Sequence, residues 1–337
     1  MAKTALVVTS IAEPNEVLHS LAAGASEHGW EFWVIGDVVS PRDFSIEGCR
    51  FMTVQNQEET GLHTAQISPK RHYARKNIGY LLAIRWGAEI IVETDDDNFP
   101  RDSFWRERRR TADVPVLEGA GWVNVYRFFS DLTIWPRGFP LEEVRSEPQD
   151  LDRFPVRTAE CPIQQGMADD NPDVDAIYRL ILPLPVLFRD DCRIALGRGS
   201  WCPFNSQNTT VWRDAFPLLY LPAFCSFRMT DIWRSFVAQR IAWENGWNVL
   251  FHEATVFQIR NEHNLMRDFS DEIPGYLNNQ KIRTMLEALD LEPGLGALGR
   301  NLRRCYEALA GAQLVDDREL EYVDAWVADL NDLGWSL

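Results

Sequence analysis

No run of eighteen apolar residues occurs in the 337 positions, so no membrane-spanning helix is expected. The opening residues MAKTALVVTSIAEPNE lack the long apolar core and small-residue cleavage site of a secretory leader, and a cytoplasmic protein is expected. The six cysteines (Cys49, Cys161, Cys192, Cys202, Cys225, Cys305) form no CxxC pair and no framework spacing. They read as reduced thiols in structural positions, which excludes a disulfide-built scaffold. Six scattered histidines give no HExxH or other paired zinc signature, so zinc chemistry is not expected. Basic charge is scarce as well: 34 Lys and Arg against 50 Asp and Glu leave a net −16. That balance argues against wrapping a phosphate backbone as the main mode of binding. One local exception is Arg106, Arg108, Arg109 and Arg110, expected to be a solvated helix face and otherwise a contact for an anionic acceptor. No GxGxxG stands between the first strand and helix, so a dinucleotide-binding Rossmann site has no support.

What is present centres on residues 74–100, ARKNIGYLLAIRWGAEIIVETDDDNFP. Ile78, Leu81, Leu82 and Ile84 recur at helical spacing until Gly87. Glu89, Ile90, Ile91 and Val92 then read as a short buried parallel strand. The strand runs into Glu93, Asp95, Asp96 and Asp97, and Pro100 stops the ladder. Four carboxylates in five positions raise one another's pKa, and a divalent cation removes that penalty. Ligands in open α/β sheets bind beyond the carboxyl ends of strands, where these acids fall, and hard oxygens suit Mg²⁺ or Mn²⁺. The competing explanation is a solvated acidic turn with Asp capping the next helix.

At 337 residues, 45% hydrophobic and 25% charged, the chain can bury a full globular core. Residues 4–10, 17–28 and 30–36 read as strand, helix and strand, which makes a parallel sheet the economical expectation. The loop with Thr9 and Ser10 would sit at a strand's C-terminal end, suited to a nucleotide base or ribose, or serve only as a turn. A strand near 49–54 is followed by a polar loop over 55–71. Strands are expected at 116–117 and 122–128, and an irregular loop or lid over 135–162. Residues 164–175 read as a second acidic, turn-forming region. Residues 197–210 read as an amide-rich loop ahead of a short helix; its Asn205, Gln207 and Asn208 suit sugar hydroxyls or turns. A helix opens at Thr230 and Asp231, where Asp231 is an N-cap or a general base. A strand pair is expected over 247–257, then a polar stretch beginning at Arg260 that could close over a phosphate. Beyond residue 270 the texture is helical, with patterns at 282–291, 298–314 and 320–333.

Four blocks carry a resemblance: KNIGYLLAIRWGAEIIVETDDDN, QGMADDNPDVDAIYRL, NSQNTTVW and DIWRSFVAQRIAWENGW. In this order they resemble the catalytic domain of the STELLO-type glycosyltransferases, over roughly residues 4–264. The acidic blocks are also similar to those of the reversibly glycosylated polypeptides, which are UDP-arabinopyranose mutases. The resemblance implies a GT-A fold, a Rossmann-like mixed sheet flanked by helices, over residues 1–270; the helical patterns beyond it read as a C-terminal extension over 271–337. It implies a nucleotide-sugar donor, UDP-linked, and an unidentified hydroxyl acceptor. Asp95 and Asp97 would hold Mn²⁺ or Mg²⁺, the motif being readable as Glu93–Thr94–Asp95 or as Asp95–Asp96–Asp97. Thr9, Ser10, Lys76, Asn77, Asp95, Asp96 and Arg260 would face the nucleotide sugar. Asp231 would deprotonate the acceptor, supported by Asn208, Trp233 and Arg234. Plant members of the family sit in the Golgi, a placement not carried over here. Two rivals stand beside this: a UDP-sugar mutase using Arg157 or Arg179, and a non-catalytic scaffold that keeps the fold.

Overall fold

The computed structural model describes residues 2–259 and 264–337. The expected β-α-β opening is there: β1 (Thr4–Thr9), α1 (Glu16–His28) and β2 (Glu31–Ile35). Asn15 starts α1 by accepting the N–H of Leu18, and Gly29, at φ 69°, ends it. The strand β3 (Cys49–Met52) is followed by α2 (Val54–Glu58) and α3 (His63–Ile67), where a plain polar loop was expected. Their start signals explain the difference. Thr53 and Asn56 form a capping box for α2. Helix α3 has no side-chain cap of its own; the carboxylate of Asp329, far along the chain, accepts the N–H groups of His63 and Thr64.

Helix α4 (Lys76–Trp86) and strand β4 (Ile90–Thr94) follow as the periodicity requires. After them come β5 (Asn98–Pro100), β6 (Thr111–Leu117), β7 (Gly121–Trp122) and α5 (Tyr126–Phe129), so the strand expected over 122–128 turns helical after Trp122. Residues 106–110 are not a helix face but irregular chain pinned across the sheet. Gln164 donates to the Arg109 carbonyl at 2.7 Å, and the Cys161 N–H donates to that of Arg110 at 2.8 Å.

Next are β8 (Val156–Glu160), β9 (Ile163–Asp169), α6 (Ala176–Ile181), β10 (Ile194–Leu196), β11 (Ser200–Trp201) and β12 (Asn208–Trp212). All seven residues of β9 are buried, so the first part of the expected acidic turn is a central strand. Its glutamines are tolerated because they bond inward: Gln165 donates to the Asn208 carbonyl and accepts from Thr209. Helix α7 (Thr230–Glu244) buries fourteen of its fifteen residues. Strand β13 (Val249–Gln258) is one long strand with a register shift between His252 and Val256, not a pair. Helix α8 (Leu265–Glu287) runs through Pro274–Gly275. A Cβ at Gly275 would stand 2.2 Å from Met229 Sδ, so the glycine allows the close approach of α8 to the segment before α7. The chain ends with α9 (Leu298–Gly311) and α10 (Arg318–Asp332).

Eleven strands form one mixed sheet in the order β3-β2-β1-β4-β12-β9-β13-β10-β6-β8, with β5 paired to β13, and β7 and β11 pair separately. Strands β3, β2, β1 and β4 are parallel, β12 is antiparallel to both β4 and β9, and β9 runs parallel to β13. This is the Rossmann-like mixed sheet with flanking helices. One face packs under α1 through Leu6, Val8, Leu18 and Phe32. The other packs under α4 and α7, and Tyr322, Trp326 and Leu330 of α10 belong to that same apolar cluster. Among the described residues no helix is long and apolar enough to cross a membrane. The ends of β1, β2 and β4 open toward the loops that precede α6 and α7, at Asp173 and Phe227.

Candidate active site

Every residue of β4 is buried, and the chain leaves the sheet at Asp95, Asp96 and Asp97, which are half-buried. A turn closed by Asn98 N–H to the Asp95 carbonyl aims the three carboxylates into one cleft. The cleft has two connected hollows of about 380 and 360 Å³ that share Thr9, Ile11, Tyr73, Asp96 and Phe227. Ser10 donates to Asp96 Oδ2 at 2.5 Å, and Asn15 donates to the Asp96 carbonyl at 3.0 Å, so the tip of β1 holds the acidic turn. Burial pushes the Asp96 carboxyl up; the Ser10 hydrogen bond opposes this, and neighbouring Asp95 adds to it.

Lys76 sits beneath the turn with no exposed surface. Its ammonium donates to Asp95 Oδ1 and to the Thr94 carbonyl, each at 3.0 Å, and to the Ser206 carbonyl at 3.3 Å. It thus ties the acidic turn to the 205–207 loop across the cleft. Glu93 takes no part in the cleft. It is fully buried, with Oε1 2.8 Å from Arg234 Nη1 and Oε2 accepting from the Tyr80 hydroxyl. Tyr80 of α4 and Arg234 of α7 hold it in the packed layer beneath the cleft. Of the two readings of the motif, only Asp95–Asp96–Asp97 lines the cleft.

The far wall is built around Arg137. Its guanidinium donates to Asp173 (Nε to Oδ1 2.8 Å, Nη2 to Oδ2 2.9 Å) and to Asp231 (Nη2 to Oδ2 2.8 Å, Nη1 to Oδ1 3.1 Å). Gly138 makes this reach possible: at φ 85°, a Cβ there would stand 2.3 Å from Ile232 of α7. Asp231 also accepts from the Tyr73 hydroxyl at 3.1 Å and the Ser206 N–H at 3.3 Å. Burial opposes its charge, but Arg137, then Arg234 and Arg228, outweigh that and hold the carboxyl at about 2. Asn205 donates to Asp173 at 3.0 Å and completes the wall. Where the hollows meet, Phe227 stands edge-on to His72 and Tyr73, with ring centroids 5.2 and 4.9 Å away. Burial takes His72 down to about 4 despite Asp37, so its imidazole is neutral at neutral pH.

Thr9, Ser10, Asp95, Asp96, Asp97 and Asp231 therefore meet in one cleft, with Lys76 directly below. Four other expected residues do not line it. Asn77 bonds the backbone of Leu221 through both amide atoms, at 2.8 and 2.9 Å. Asn208 donates to the Met167 carbonyl and accepts from Thr255 inside the sheet. Trp233 is buried with its indole N–H on Asn279, and Arg234 lies under the cleft between Glu93 and the Asn205 carbonyl. Arg260 lies outside the described residues. Sequence reasoning missed Tyr73, Arg137 and Gln258; Gln258 donates to both oxygens of Asp97 at 3.0 Å. Nothing local marks Arg137, whose partners lie 36 and 94 positions away. A separate trio, His63, Asp329 and Asp332, brings ligand-type atoms within 4.8 Å of one another, but both Asp329 oxygens cap α3.

Residues 228–337 match the family model of the STELLO glycosyltransferases. The chain is 27% identical over 359 residues to the "Probable glycosyltransferase STELLO2" of Arabidopsis thaliana, covering 98% of this chain and 45% of that protein. To "Probable glycosyltransferase STELLO1" of the same plant it is 27% identical over 366 residues, covering 98% and 44%. The chain thus spans less than half the length of these relatives. Among solved structures it is similar to one described as a mycobacterial protein, at TM-score 0.42 and 10% identity, covering 84% of this chain and 74% of the other. The C-terminal third therefore matches the STELLO glycosyltransferase family model, and nearly the whole chain is similar to the STELLO proteins.

Proposed function

We propose that this protein is a divalent-metal-dependent glycosyltransferase that moves a sugar from a UDP-linked donor to a hydroxyl acceptor. The observation that carries the proposal is the pairing of two walls in one cleft. Asp95, Asp96 and Asp97 stand on one side, and the Asp173–Arg137–Asp231 cluster stands on the other. The donor set fits Mn²⁺ or Mg²⁺: Asp95 and Asp97 offer hard carboxylate oxygens, half exposed, and Asp95 meets Lys76 through Oδ1 alone. An ion held there would offset the charge that develops on the leaving diphosphate as the anomeric bond breaks.

The chain's own residues supply the rest. The hollow lined by Thr9, Ser10 and Gly36 takes the nucleoside, as expected beyond the ends of parallel strands. Asp231 faces the acceptor. Held well below the usual carboxylate range by Arg137, it stays ionised at neutral pH, which makes it a weak base. Its part is to orient the acceptor hydroxyl in exchange for the Tyr73 hydroxyl, and to take the proton late, once the new glycosidic bond has made that proton acidic. No observation favours the mutase alternative. Arg157 pairs with Glu118 on the edge strand β8, and Arg179 donates to the Pro172 carbonyl; neither lines the cleft.

Calorimetric titration of UDP into wild type, Asp95→Ala and Asp97→Ala, with Mn²⁺ or with EDTA, tests the proposal. Metal-dependent heat is expected in the wild type alone, with folding of all three unchanged by circular dichroism. Equal heats in all three proteins, with or without EDTA, overturn the metal assignment. No heat with any UDP- or GDP-sugar returns the chain to the scaffold reading.

A further inference from the structure

The hollow lined by Thr9, Ser10 and Gly36 has apolar sides, made by Ile35, Val39 and Phe227, and a polar side on which one fixed donor is left unused by the protein. Its polar neighbours are already engaged. Arg75 gives its guanidinium to Gln57 and to the Ser68 and Pro69 carbonyls. Asp37 accepts the Val38 and His72 N–H groups. Ser10 donates to Asp96, and Tyr73 donates to Asp231.

His72 differs from these. Its Nδ1 accepts the Ala74 N–H at 3.0 Å and so caps a single 3₁₀ turn, Tyr73–Arg75. An accepting Nδ1 in a neutral imidazole leaves the ring proton on Nε2. Burial, by drawing the pKa down to about 4, makes that neutral form the one present at neutral pH. Nε2 has no hydrogen-bond partner among the described residues, and it is not among the atoms sealed from solvent. The ring is also held in place. It stacks on Tyr73 with centroids 5.7 Å apart and stands edge-to-face with Phe227 at 5.2 Å. Turning it would break the cap and both ring contacts, so the free N–H keeps its direction. Arg71 and Thr9 share the wall, but one is a long exposed side chain and the other a rotatable hydroxyl.

A fixed donor without an acceptor, beside apolar walls, is matched by the edge of a flat base that carries an oxo group. Uracil has an oxo group at C4, where cytosine has an amino group. Two donors face to face leave both unsatisfied, which is how a hydrogen-bonding site rejects a near-isostere. We infer that His72 is the residue that selects the base in this hollow, its Nε2–H donating to the 4-oxo group of uracil; the assignment rests on the nucleoside reading of the hollow proposed above.

Calorimetric titration of UDP and of CDP into the full chain with Mn²⁺ tests it. The wild type should bind UDP about tenfold or more tighter than CDP, the discrimination that one unmet donor supplies. His72→Asn keeps an acceptor for the Ala74 N–H but lacks the far donor. Its UDP affinity should fall to within about threefold of its CDP affinity, with CDP binding unchanged from wild type. His72→Gln carries an N–H close to the place of Nε2 and should keep the preference for UDP. Equal binding of UDP and CDP by the wild type overturns the assignment and leaves the glycosyltransferase reading standing. So does a preference kept in His72→Asn, or one lost equally in both variants, which would make His72 a structural cap. No heat from either nucleotide in the wild type overturns both.

Discussion

Arg234 and Glu93 are the pair whose disruption tests the architecture most sharply. Both are fully buried, 2.8 Å apart, on α7 and β4, and so join the two walls of the cleft from below. Burial alone would lower the Arg234 pKa; Glu93, above all, holds it high instead. Arg234→Met leaves the Glu93 carboxylate with the Tyr80 hydroxyl as its remaining neighbour and removes the donor to the Asn205 carbonyl. Stranding one charge of a buried pair costs roughly 3–5 kcal/mol. Glu93→Gln strands the guanidinium instead, but Arg234 keeps Asn205, so its cost falls near the lower end, about 3 kcal/mol. The double variant strands neither charge, and should recover at least about 2 kcal/mol of the summed losses. Urea unfolding of the four proteins near neutral pH measures the cycle, and Mn²⁺ calorimetry on the same samples adds the functional arm. Because Glu93 is held by Arg234 and Tyr80 and does not line the cleft, Glu93→Gln should hold Mn²⁺ within about threefold of wild type, a change below 1 kcal/mol. A loss under about 1 kcal/mol for Arg234→Met, or simple additivity in the double variant, would refute the reasoning about the pair. Abolished Mn²⁺ binding in Glu93→Gln would reinstate the Glu93–Thr94–Asp95 register.

Two further predictions follow from named groups. Asp231→Asn keeps Arg137 on Asp173, so UDP binding should persist while sugar transfer to the acceptor, read as UDP released, falls about 10²- to 10⁴-fold; loss of folding instead would make Asp231 a structural anchor. Burial pushes Glu319 from 4.5 up to about 7, against the pull of the Tyr220 hydroxyl and the Phe224 and Ala223 N–H groups. A folded-state pKa above the unfolded one contributes stability below about pH 4.5 that is lost as pH rises through about 7. The gap amounts to about 3 kcal/mol, so Glu319→Gln should gain up to that much relative to wild type between mildly acidic and mildly alkaline solution. A stability difference between the two proteins that does not move with pH would count against an ionisable cost at this site.

Local signals carried the donor wall into view. The apolar burst of β4, its acidic end, the glycine after α4 and the helix opening at Thr230 are all written within a few residues, because strand burial and helix periodicity are local. The acceptor wall was not legible in the same way. Arg137 and Asp173 come from stretches with no period, and they meet only because Gly138 lets its loop lie against Ile232. Polarity misled in both directions. Asn77 and Asn208 looked like ligand-facing amides, but their bonding capacity goes to backbone groups of distant segments, which burial makes obligatory. Gln164 and Gln165 made a central strand look like a turn, and Arg108 looked like a solvated helix residue.

The reach of α10 into the opening quarter of the chain changes how the last helices should be regarded. Asp329 starts α3, and the Tyr322 hydroxyl bonds Ser68 at 2.8 Å and lies 3.4 Å from Asn77, next to the lysine that steadies the acidic turn. Shortening the protein after β13 would take away a helix start and a strut beneath Lys76 as well as three helices. A trimmed version should therefore fail first at donor binding, on the side of the molecule furthest from the cut in sequence.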